Sequence, residues 1–464
     1  MIDMTLAEIA AAIDGELVSG SPAESISGLS TTDSRQVVPG GIFFAKIGKE
    51  EDGHSYLAAA AANGAVLGIV STAATDLDLP QIVVRDTVVA LSLLAKHVLE
   101  AIRAVGKMQV VGITGSNGKT STKNMLRDIL SQVGPTVAPQ GSYNNLVGLP
   151  TTVLRADNST EFLVLEYGAA GRGSIAALAE WTKPDVSTVL KVGLAHAGVF
   201  GGIEETALIK AELVQYTRKH VVLNYDDPVV RHYKPKAGVS ISGFGFGAEA
   251  DTRIRSTEIS LAGTVVSLDT ASGNGQRLKL KILGEHQALN AAAAIEICAA
   301  LGIESSICFP ALEKMDSAER WRMQLLENPA GYSIINDAYN ASPDSMRAAL
   351  QTLATIGRSG HRTVAVLGYM AELGEISNQE HQSLGLLVVR YNIDKLYVVG
   401  EEAKLLHMSA TAEGSWDGES LFFGSADQAF EQISGKLREG DVVLVKASNA
   451  SGLRFLGDKL AGVA

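Results

Sequence analysis

Apolar positions along the chain follow two spacings, and their alternation predicts an α/β protein. Stretches such as Leu91 to Ile102 repeat apolar residues at helical spacing, whereas shorter apolar runs have the length of buried strands. These apolar runs are 162–165, 332–335, 363–367, 396–399 and 442–445, and 186–190 is a further predicted strand with two hydroxyl residues. Because helical patterns separate them, we predict mostly parallel sheets built from βαβ units.

The order of these patterns divides the chain into three blocks. A chain of 464 residues exceeds the size at which one hydrophobic core keeps growing, so several domains are expected. The first block, 1–103, opens with an amphipathic helix near Leu6 and Ile9. The central block, 104–320, and the third block, 321–464, each have the pattern of an open α/β sheet. The charged segment from Lys314 to Arg322 is a predicted hinge between them.

A glycine-rich turn between a strand and a helix predicts a phosphate-binding loop. The loop consists of Gly115, Ser116, Asn117, Gly118, Lys119 and Thr120. Backbone N–H groups of such a turn surround an anion, and the dipole of the following helix favours negative charge. Lys119 would reach the outer phosphates of a nucleotide, and the Thr120 hydroxyl would hold Mg²⁺. The spacing departs from the commonest form, since Ile113 stands where that form has glycine. The loop indicates ATP or GTP chemistry.

Composition and charge restrict the class of partner. The formal net charge of −12 argues against a general binder of nucleic acid or anionic membranes, because both need a basic surface. Two cysteines, Cys298 and Cys308, form neither a disulfide framework nor a zinc site. The N-terminus carries acids where a signal peptide needs bases, and no apolar run reaches the roughly 18–20 residues that span a bilayer. We therefore expect a cytoplasmic protein without membrane insertion.

Two later strands of the central block end near candidate metal ligands. Glu166 follows the run 162–165, and His196 follows the run 186–190. Ligands of open α/β sheets lie outside the carboxyl ends of the strands, so both side chains are expected to face Thr120. A carboxylate and an imidazole there would suit Mg²⁺ bound to nucleotide phosphates. Each residue also has an alternative interpretation: Glu166 as an exposed acid at a strand end, and His196 as a loop histidine with no ligand.

Two further features remain open on residue pattern alone. Lys210 lies in a helical segment, 206–213, where the pattern favours a solvated lysine. Asn144 and Asn145 lie in a polar turn before an apolar run, as turn formers or as contacts to a second substrate.

Taken together, these motifs resemble the Mur ligase family of ATP-dependent enzymes that form amide bonds. The loop 115–120 is the family's own variant, which accounts for Ile113. Further similar segments are 143–150, 336–343 and 368–374, with His381 downstream. In the first block, 33–35 and 52–54 are similar to the family's uridine-nucleotide-binding domain. The resemblance covers essentially the whole chain and implies three domains, the last of them Rossmann-like.

The resemblance implies a role for each matching residue. Lys119 and the loop amides would hold ATP, and Thr120 and Glu166 would bind one Mg²⁺. His196 would bind a second Mg²⁺, and Lys210 falls where the family carries a carbamylated lysine, an anion that supports a metal site. The remaining implied residues are His286 and Asn290 near adenine, Arg322 and Asp337 at the γ-phosphate and ribose, and Ser34, Arg35, Asn144, Asn145, Tyr339 and Asn340 at the other substrates. Lys119, His196, Lys210 and Arg322 would form the catalytic set.

The implied reaction joins D-alanyl-D-alanine to UDP-N-acetylmuramoyl-tripeptide through an acyl phosphate, in a monomeric enzyme of peptidoglycan synthesis. The alternatives are a sister ligase that adds one amino acid, such as a diaminopimelate- or lysine-adding enzyme or a folylpolyglutamate synthase, and a non-catalytic nucleotide switch. Five positions depart from the family's usual residues: Lys191, Gln287, Tyr369, Ala447 and Asn449.

Overall fold

The computed structural model of the chain describes residues 1–194, 197–316, 319–414 and 416–463. It forms a mixed α/β structure with three main sheets, one in each predicted block. Within these described ranges, no helix is long and apolar enough to cross a membrane.

The first block contains a five-stranded sheet with the strand order β2-β7-β6-β5-β4, beside a two-stranded pair, β1 and β3. Helix α1 begins at a capping box in which Thr5 and Glu8 bond each other's backbone. The strands are β1 (Met4–Thr5), β2 (Glu16–Ser19), β3 (Ser25–Ile26), β4 (Ser30–Thr31), β5 (Gly41–Phe44), β6 (Ala65–Val70) and β7 (Gln81–Val83), and the helices are α1 (Leu6–Ala12), α2 (Leu57–Ala62) and α3 (Thr87–Val105).

The central block contains a nine-stranded sheet with the order β16-β15-β14-β13-β12-β11-β8-β10-β9. Its strands are β8 (Gln109–Thr114), β9 (Thr136–Val137), β10 (Phe162–Glu166), β11 (Val186–Val189), β12 (His220–Asn224), β13 (Ser240–Gly245), β14 (Thr252–Ser260), β15 (Gly263–Thr270) and β16 (Gly273–Leu280). Its helices are α4 (Lys119–Leu130), α5 (Gly148–Val153), α6 (Ser174–Thr182), α7 (Ala197–Phe200), α8 (Ile203–Tyr216), α9 (Glu285–Ala300) and α10 (Ser305–Lys314).

Strand direction in this sheet explains where its chemistry lies. The neighbours from β9 to β14 are parallel, and β15 and β16 continue the sheet antiparallel. The carboxyl ends of β8, β10 and β11 therefore meet at one edge, where the loop 115–120 and Glu166 lie. The antiparallel hairpins β14–β16 are an addition that the predicted parallel pattern does not include.

The third block contains a six-stranded sheet with the order β17-β18-β22-β19-β20-β21, parallel except for β17. Its strands are β17 (Gln324–Glu327), β18 (Ser333–Asn336), β19 (Thr363–Leu367), β20 (Lys395–Val399), β21 (Glu419–Phe423) and β22 (Val442–Lys446). Its helices are α11 (Pro343–Gly357), α12 (Ser377–Arg390), α13 (Lys404–Thr411), α14 (Ala426–Ile433) and α15 (Leu453–Ala461).

The hydrophobic cores attach the first and third blocks to the central block in different ways. Leu94 and Val98 of α3 belong to one continuous core with Leu149 of α5 and Ile175 of α6. The third block instead has its own cores on the two faces of its sheet; Leu283 of the central block is buried with one of them, and Ile259 and Leu261 pack against that core partly buried. The first block is therefore joined to the central block by one continuous core, whereas the third block meets the central block through a smaller apolar contact and polar bonds.

The elements agree with the predicted α/β pattern, and the fold class is confirmed. The predicted runs 162–165, 186–190 and 363–367 fall on β10, β11 and β19, and the helical stretch Leu91 to Ile102 lies inside α3. Cys298 and Cys308 are both buried and free. The block boundaries themselves stay a prediction.

Candidate functional site

The phosphate-binding loop lies between β8 and α4, as the sequence predicts. Gly118 adopts φ +86° immediately before the helix, a conformation that favours glycine. A Cβ atom on Gly118 would also lie 2.4 Å from Oδ1 of Asn290, so the turn has no room for a side chain. Lys119 Nζ folds back and donates to the Gly115 carbonyl at 2.8 Å. The loop is thus held in the shape that surrounds an anion.

Glu166 and Thr120 form the centre of the site. Thr120 Oγ1 donates to Glu166 Oε2 at 3.2 Å, and Asn144 Nδ2 donates to Glu166 Oε1 at 2.8 Å. Glu166 is 1% exposed, and among the described residues it has no cation within ion-pair distance. A buried carboxylate without a paired cation is costly, so this arrangement fits a bound metal ion.

The protein ligands at this centre are few, which restricts the metal. The described ranges contain no group of three histidine, cysteine, aspartate or glutamate side chains that would hold a metal by themselves. Mg²⁺ characteristically uses one or two carboxylates and takes its other ligands from water and substrate phosphates. Thr120 and Glu166 therefore suit Mg²⁺ only together with a phosphate group on the loop.

Two lysines of α4 shape the electrostatic field of the site. Burial lowers the pKa of Lys119, the Glu166 carboxylate offsets part of that effect, and Arg322 adds to it. Lys123 is fully buried, and its Nζ donates to the Gly141 carbonyl at 2.9 Å. Burial lowers the pKa of Lys123 as well. Both ammonium groups would be stabilised by a polyanion on the loop.

The third block contributes a second side to the site. The Arg322 guanidinium stacks on the Tyr339 ring, with its Cζ 4.4 Å from the ring centroid. Asp337 is paired with the buried Lys446 at 2.6 Å and accepts the Met323 N–H at 3.0 Å. These bonds fix the Arg322 and Asp337 side chains across from the phosphate loop.

Helix α9 closes the site from a third direction. Burial lowers the pKa of His286 to about 4, so its ring is neutral at physiological pH. Asn290 Nδ2 donates to Gln287 Oε1 at 3.0 Å, which orients the Asn290 side chain toward Gly118. Gln287, where the family usually has asparagine, therefore lines the site and holds Asn290 in place.

These elements enclose a cavity of about 340 Å³. The predicted residues that line it are Ser116, Asn117, Gly118, Lys119, Thr120, Asn144, Glu166, His286, Asn290, Arg322, Asp337, Tyr339 and Asn340. Three of them carry a buried polar atom without a partner among the described residues: Asn117 Nδ2, His286 Nδ1 and Arg322 Nε. Such atoms cost free energy unless a ligand satisfies them. The cavity therefore fits a polar, anionic ligand of nucleotide class.

A second cavity of about 560 Å³ lies between the first and central blocks. It is lined by Thr31, Thr32, Asp33, Gln36, Lys46, Val88, Ser142, Tyr143, Asn144, Asn145, Leu146, Val147, Gly148, Thr151, Gly168, Ala169, Ala170, Ser174 and Leu178. Ser142 and Asn144 line both cavities, so the loop that carries them is a shared wall beside Glu166. Asn145 Oδ1 accepts the N–H groups of Val147 and Gly148, so it also shapes the start of α5.

Several predicted residues are not brought to either cavity. The Arg35 side chain is 87% exposed and paired with Asp33, and Ser34 is buried nearby without lining the second cavity. Lys210 is 3% exposed on α8 and does not line the first cavity. Its pKa is well below the usual value because of burial and the charge of Lys119. The plain alternative of a solvated Lys210 is therefore wrong. His196 lies outside the described residues.

The structure also adds residues that pattern analysis missed. Lys446 holds Asp337, Ser142 lies 3.5 Å from Thr120 Oγ1, and Lys46 brings a cation to the second cavity. Lys446 ends a buried apolar strand, β22, and a charge at that position is a sequence signal for a buried ion pair. Ser142 and Lys46 lie in loops whose pattern carries no comparable signal.

Comparison with known proteins identifies the class. A family model described as the Mur ligase middle domain matches residues 113–298, and one described as the Mur ligase, glutamate ligase domain matches residues 321–449. The chain belongs to the Mur ligase family.

Several similar proteins carry the same description. UDP-N-acetylmuramoyl-tripeptide–D-alanyl-D-alanine ligase of Mycobacterium tuberculosis is 37% identical, over 99% of this chain and 98% of that protein. The enzyme of the same name from Escherichia coli is 33% identical over 89% of each. Among solved structures, MurF from Acinetobacter baumannii is similar with a TM-score of 0.87 and 28% identity, over 99% of both chains. MurF ligase from Thermotoga maritima, in complex with ADP, is similar with a TM-score of 0.80 and 27% identity, over 94% of this chain and 98% of that one.

Proposed function

We propose that this protein joins D-alanyl-D-alanine to UDP-N-acetylmuramoyl-tripeptide, with ATP converted to ADP and phosphate, in peptidoglycan synthesis. The observation that carries the proposal is the shared wall: a phosphate loop with Glu166 lies in one cavity, and a second cavity opens on the other side of Ser142 and Asn144. A carboxylate held in the second cavity would meet the outer phosphate held in the first. The relatives named for this reaction match 99% and 89% of the chain.

The first cavity supplies positions for the ATP phosphates and nucleoside. Loop amides and Lys119 would hold the phosphates, because they form an anion cradle at the N-terminus of α4. His286, Asn290 and Asp337 would contact the adenine and ribose, since their side chains line the remainder of the cavity. Arg322 would face the γ-phosphate and neutralise charge that develops during transfer.

Metal binding follows from the same donor set. Mg²⁺, when bound, supplies charge neutralisation between the phosphates and the incoming carboxylate. Thr120 and Glu166 would hold it, and Asn144 would keep the Glu166 carboxylate oriented through its 2.8 Å bond. A second Mg²⁺ would involve His196 and Lys210.

Carbamylation of Lys210 is a further part of the proposal. A neutral lysine amine attacks CO₂, forms an N–C bond and releases one proton, which leaves an anionic carbamate. Burial and the charge of Lys119 lower the pKa of Lys210, which raises the fraction of neutral amine, and burial protects the product from water. We expect the carbonyl ¹³C signal of a carbamate after incubation with ¹³C-bicarbonate, and its loss in Lys210→Met. An unlabelled wild-type protein would contradict this part alone.

The reaction then consists of two transfers between bound substrates. The tripeptide carboxylate takes the γ-phosphoryl group and forms an acyl phosphate, and the dipeptide amine attacks its carbonyl and displaces phosphate. Tyr339 and Asn340, which lie beside Arg322, would guide the second substrate. The protein's main contribution is positioning and charge neutralisation, because two anions must approach each other.

Phosphate release by the purified protein tests this proposal. With ATP, UDP-N-acetylmuramoyl-tripeptide and D-alanyl-D-alanine together, we expect turnover that is lost when either acceptor is omitted. Lys119→Ala should abolish it, and Lys96→Ala, a change at an exposed position of α3, should not. Turnover with a single amino acid instead of the dipeptide would favour a sister ligase. Survival of turnover in Lys119→Ala would refute the assignment of the loop.

Three coarser expectations accompany the proposal. We propose domains at 1–103, 104–320 and 321–464, because each range holds one main sheet. We also propose a cytoplasmic monomer, since ATP is the expected energy source and residues of one chain line both cavities. Sedimentation of the purified protein tests the oligomeric state.

A further inference from the structure

Helix α11 begins beside the phosphate loop, and the residue that caps the helix contacts the loop. Ser342 caps the helix, and Pro343 occupies the first helical position, so the start of α11 is sharply defined. Ser342 Oγ also lies 3.2 Å from Asn117 Oδ1 in the loop. The next acidic residue, Asp344, therefore faces the central block from the end of a capped helix.

Asp344 bridges two groups of the central block. Its Oδ2 accepts the Leu194 N–H at 3.1 Å, and its Oδ1 lies 3.1 Å from Lys191 Nζ. Both Lys191 and Asp344 line the first cavity. The bridge thus connects the segment that follows β11 directly to the helix that follows β18.

The backbone leaves space for this carboxylate at one position. A Cβ atom on Gly193 would lie 2.3 Å from Asp344 Oδ2, and its next contact would be Asp344 Cγ at 3.2 Å. Gly193 itself is tied to the phosphate loop, because its N–H donates to Ser116 Oγ at 2.9 Å. The Asp344 carboxylate therefore packs on Gly193, and the backbone of Gly193 is hydrogen-bonded to the phosphate loop.

We infer that Asp344 is a positioning residue that seats the third block on the phosphate-loop side of the central block. The bridge places Arg322 and Asp337 opposite Lys119, so it acts on the reaction through them. Apolar packing across this seam is small, because the central-block side chains packed on the third block's core are the buried Leu283 and the partly buried Ile259 and Leu261. This inference deepens the proposed function and rests on it for the turnover readout.

The two arms of the bridge contribute unequally. Lys191 and Asp344 are 44% and 20% exposed, so their ion pair is screened by solvent and salt. The bond from the Leu194 N–H to a charged acceptor is a backbone contact with fixed geometry, and bonds of this type contribute more. We therefore expect Asp344→Ala to lower kcat about tenfold, and Lys191→Gln to lower it about twofold at low salt only.

Gly193→Ala tests the bridge without altering either partner. The added methyl group displaces the carboxylate or separates the blocks, and both results break the bridge. We expect kcat to fall about tenfold, as in Asp344→Ala. The double variant Gly193→Ala/Asp344→Ala should fall no further than Asp344→Ala, because the methyl group then has nothing to displace. Gly435→Ala is the matched control, since a Cβ atom there meets nothing within 4 Å.

A distance measurement separates this inference from the proposed reaction. Spin labels at Glu180→Cys on α6 and Thr411→Cys on α13 report the separation of the two blocks with ADP bound, and no turnover is needed. We expect longer or broader distances in Gly193→Ala and Asp344→Ala than in the unsubstituted labelled protein and in Gly435→Ala.

Three results would overturn the inference. They are unchanged distances in both bridge variants, a fall in kcat without a change in distance, and additive losses in the double variant. Absence of turnover with the proposed substrates would instead refute the proposed function and leave the distance readout intact.

Discussion

Replacement of the buried Lys123 by methionine is expected to weaken catalysis without weakening the fold. Lys123 is 0% exposed, and its described polar contact is the 2.9 Å bond to the Gly141 carbonyl. That carbonyl belongs to an exposed residue at the start of the loop that carries Ser142 and Asn144. The ammonium group therefore anchors the shared wall of the two cavities from inside the protein.

For the stability of the fold, the loss of the Lys123 hydrogen bond and the removal of a buried charge have opposite effects. A hydrogen bond to a charged group contributes about 1.5–3 kcal/mol, and water can satisfy the exposed Gly141 carbonyl when it is lost. Burial of an ammonium ion costs several kcal/mol, and burial is the largest cause of the lowered pKa of Lys123. Methionine has a similar length and no charge. We therefore expect the free energy of unfolding to stay unchanged or to rise by up to about 2 kcal/mol.

For catalysis, the Lys123→Met replacement has no compensating gain and lowers kcat/KM. Without its anchor the wall loses up to the free energy of that bond, which sets a limit of roughly 10- to 100-fold on the fall in kcat/KM. Denaturant unfolding and steady-state phosphate release on the same preparations measure both quantities. Lys96→Met, an exposed exchange on α3, is the control and should alter neither. A clearly destabilised Lys123→Met protein with normal kcat/KM would refute the reasoning.

Three further outcomes follow from the site. Burial lowers the pKa of His286 to about 4, so between pH 6.5 and 4 the unfolded chain binds a proton that the folded chain does not, and the free energy of unfolding falls with pH by at most about 3 kcal/mol. Denaturant unfolding of His286→Gln at pH 7 and 4.5 should lack this pH-dependent component, and a pH dependence equal to that of the unsubstituted protein would count against it. Lys446→Met leaves the Asp337 carboxylate without its ion-pair partner and should lower the free energy of unfolding by about 3–5 kcal/mol. Adding Asp337→Asn to the same chain should restore most of that loss, whereas equal stability of Lys446→Met and the unsubstituted protein would contradict the pairing. Glu166→Gln should raise the Mg²⁺ concentration for half-maximal phosphate release about tenfold, and an unshifted Mg²⁺ titration would exclude Glu166 as a ligand.

The sequence determined the elements and the chemistry that each one carries. Local patterns suffice where neighbours in the chain are also neighbours in space, as in the loop 115–120, whose glycines and following helix define an anion site without distant partners. The apolar runs on β10 and β19 needed no further information, because a strand buried on both faces is largely apolar. The resemblance then connected these parts and supplied the family, which the comparisons confirm.

The tertiary structure decided which distant residues meet. Nothing local indicates that Lys446 pairs with Asp337, that Asp344 accepts the Leu194 N–H, or that Asn144 turns toward Glu166. It also reversed the expectation from pattern for Lys210, since a lysine on an amphipathic helix looks solvated until the packing of α8 buries it. Contacts between segments far apart in sequence depend on how the blocks pack, and the pattern of apolar residues along the chain does not indicate that packing.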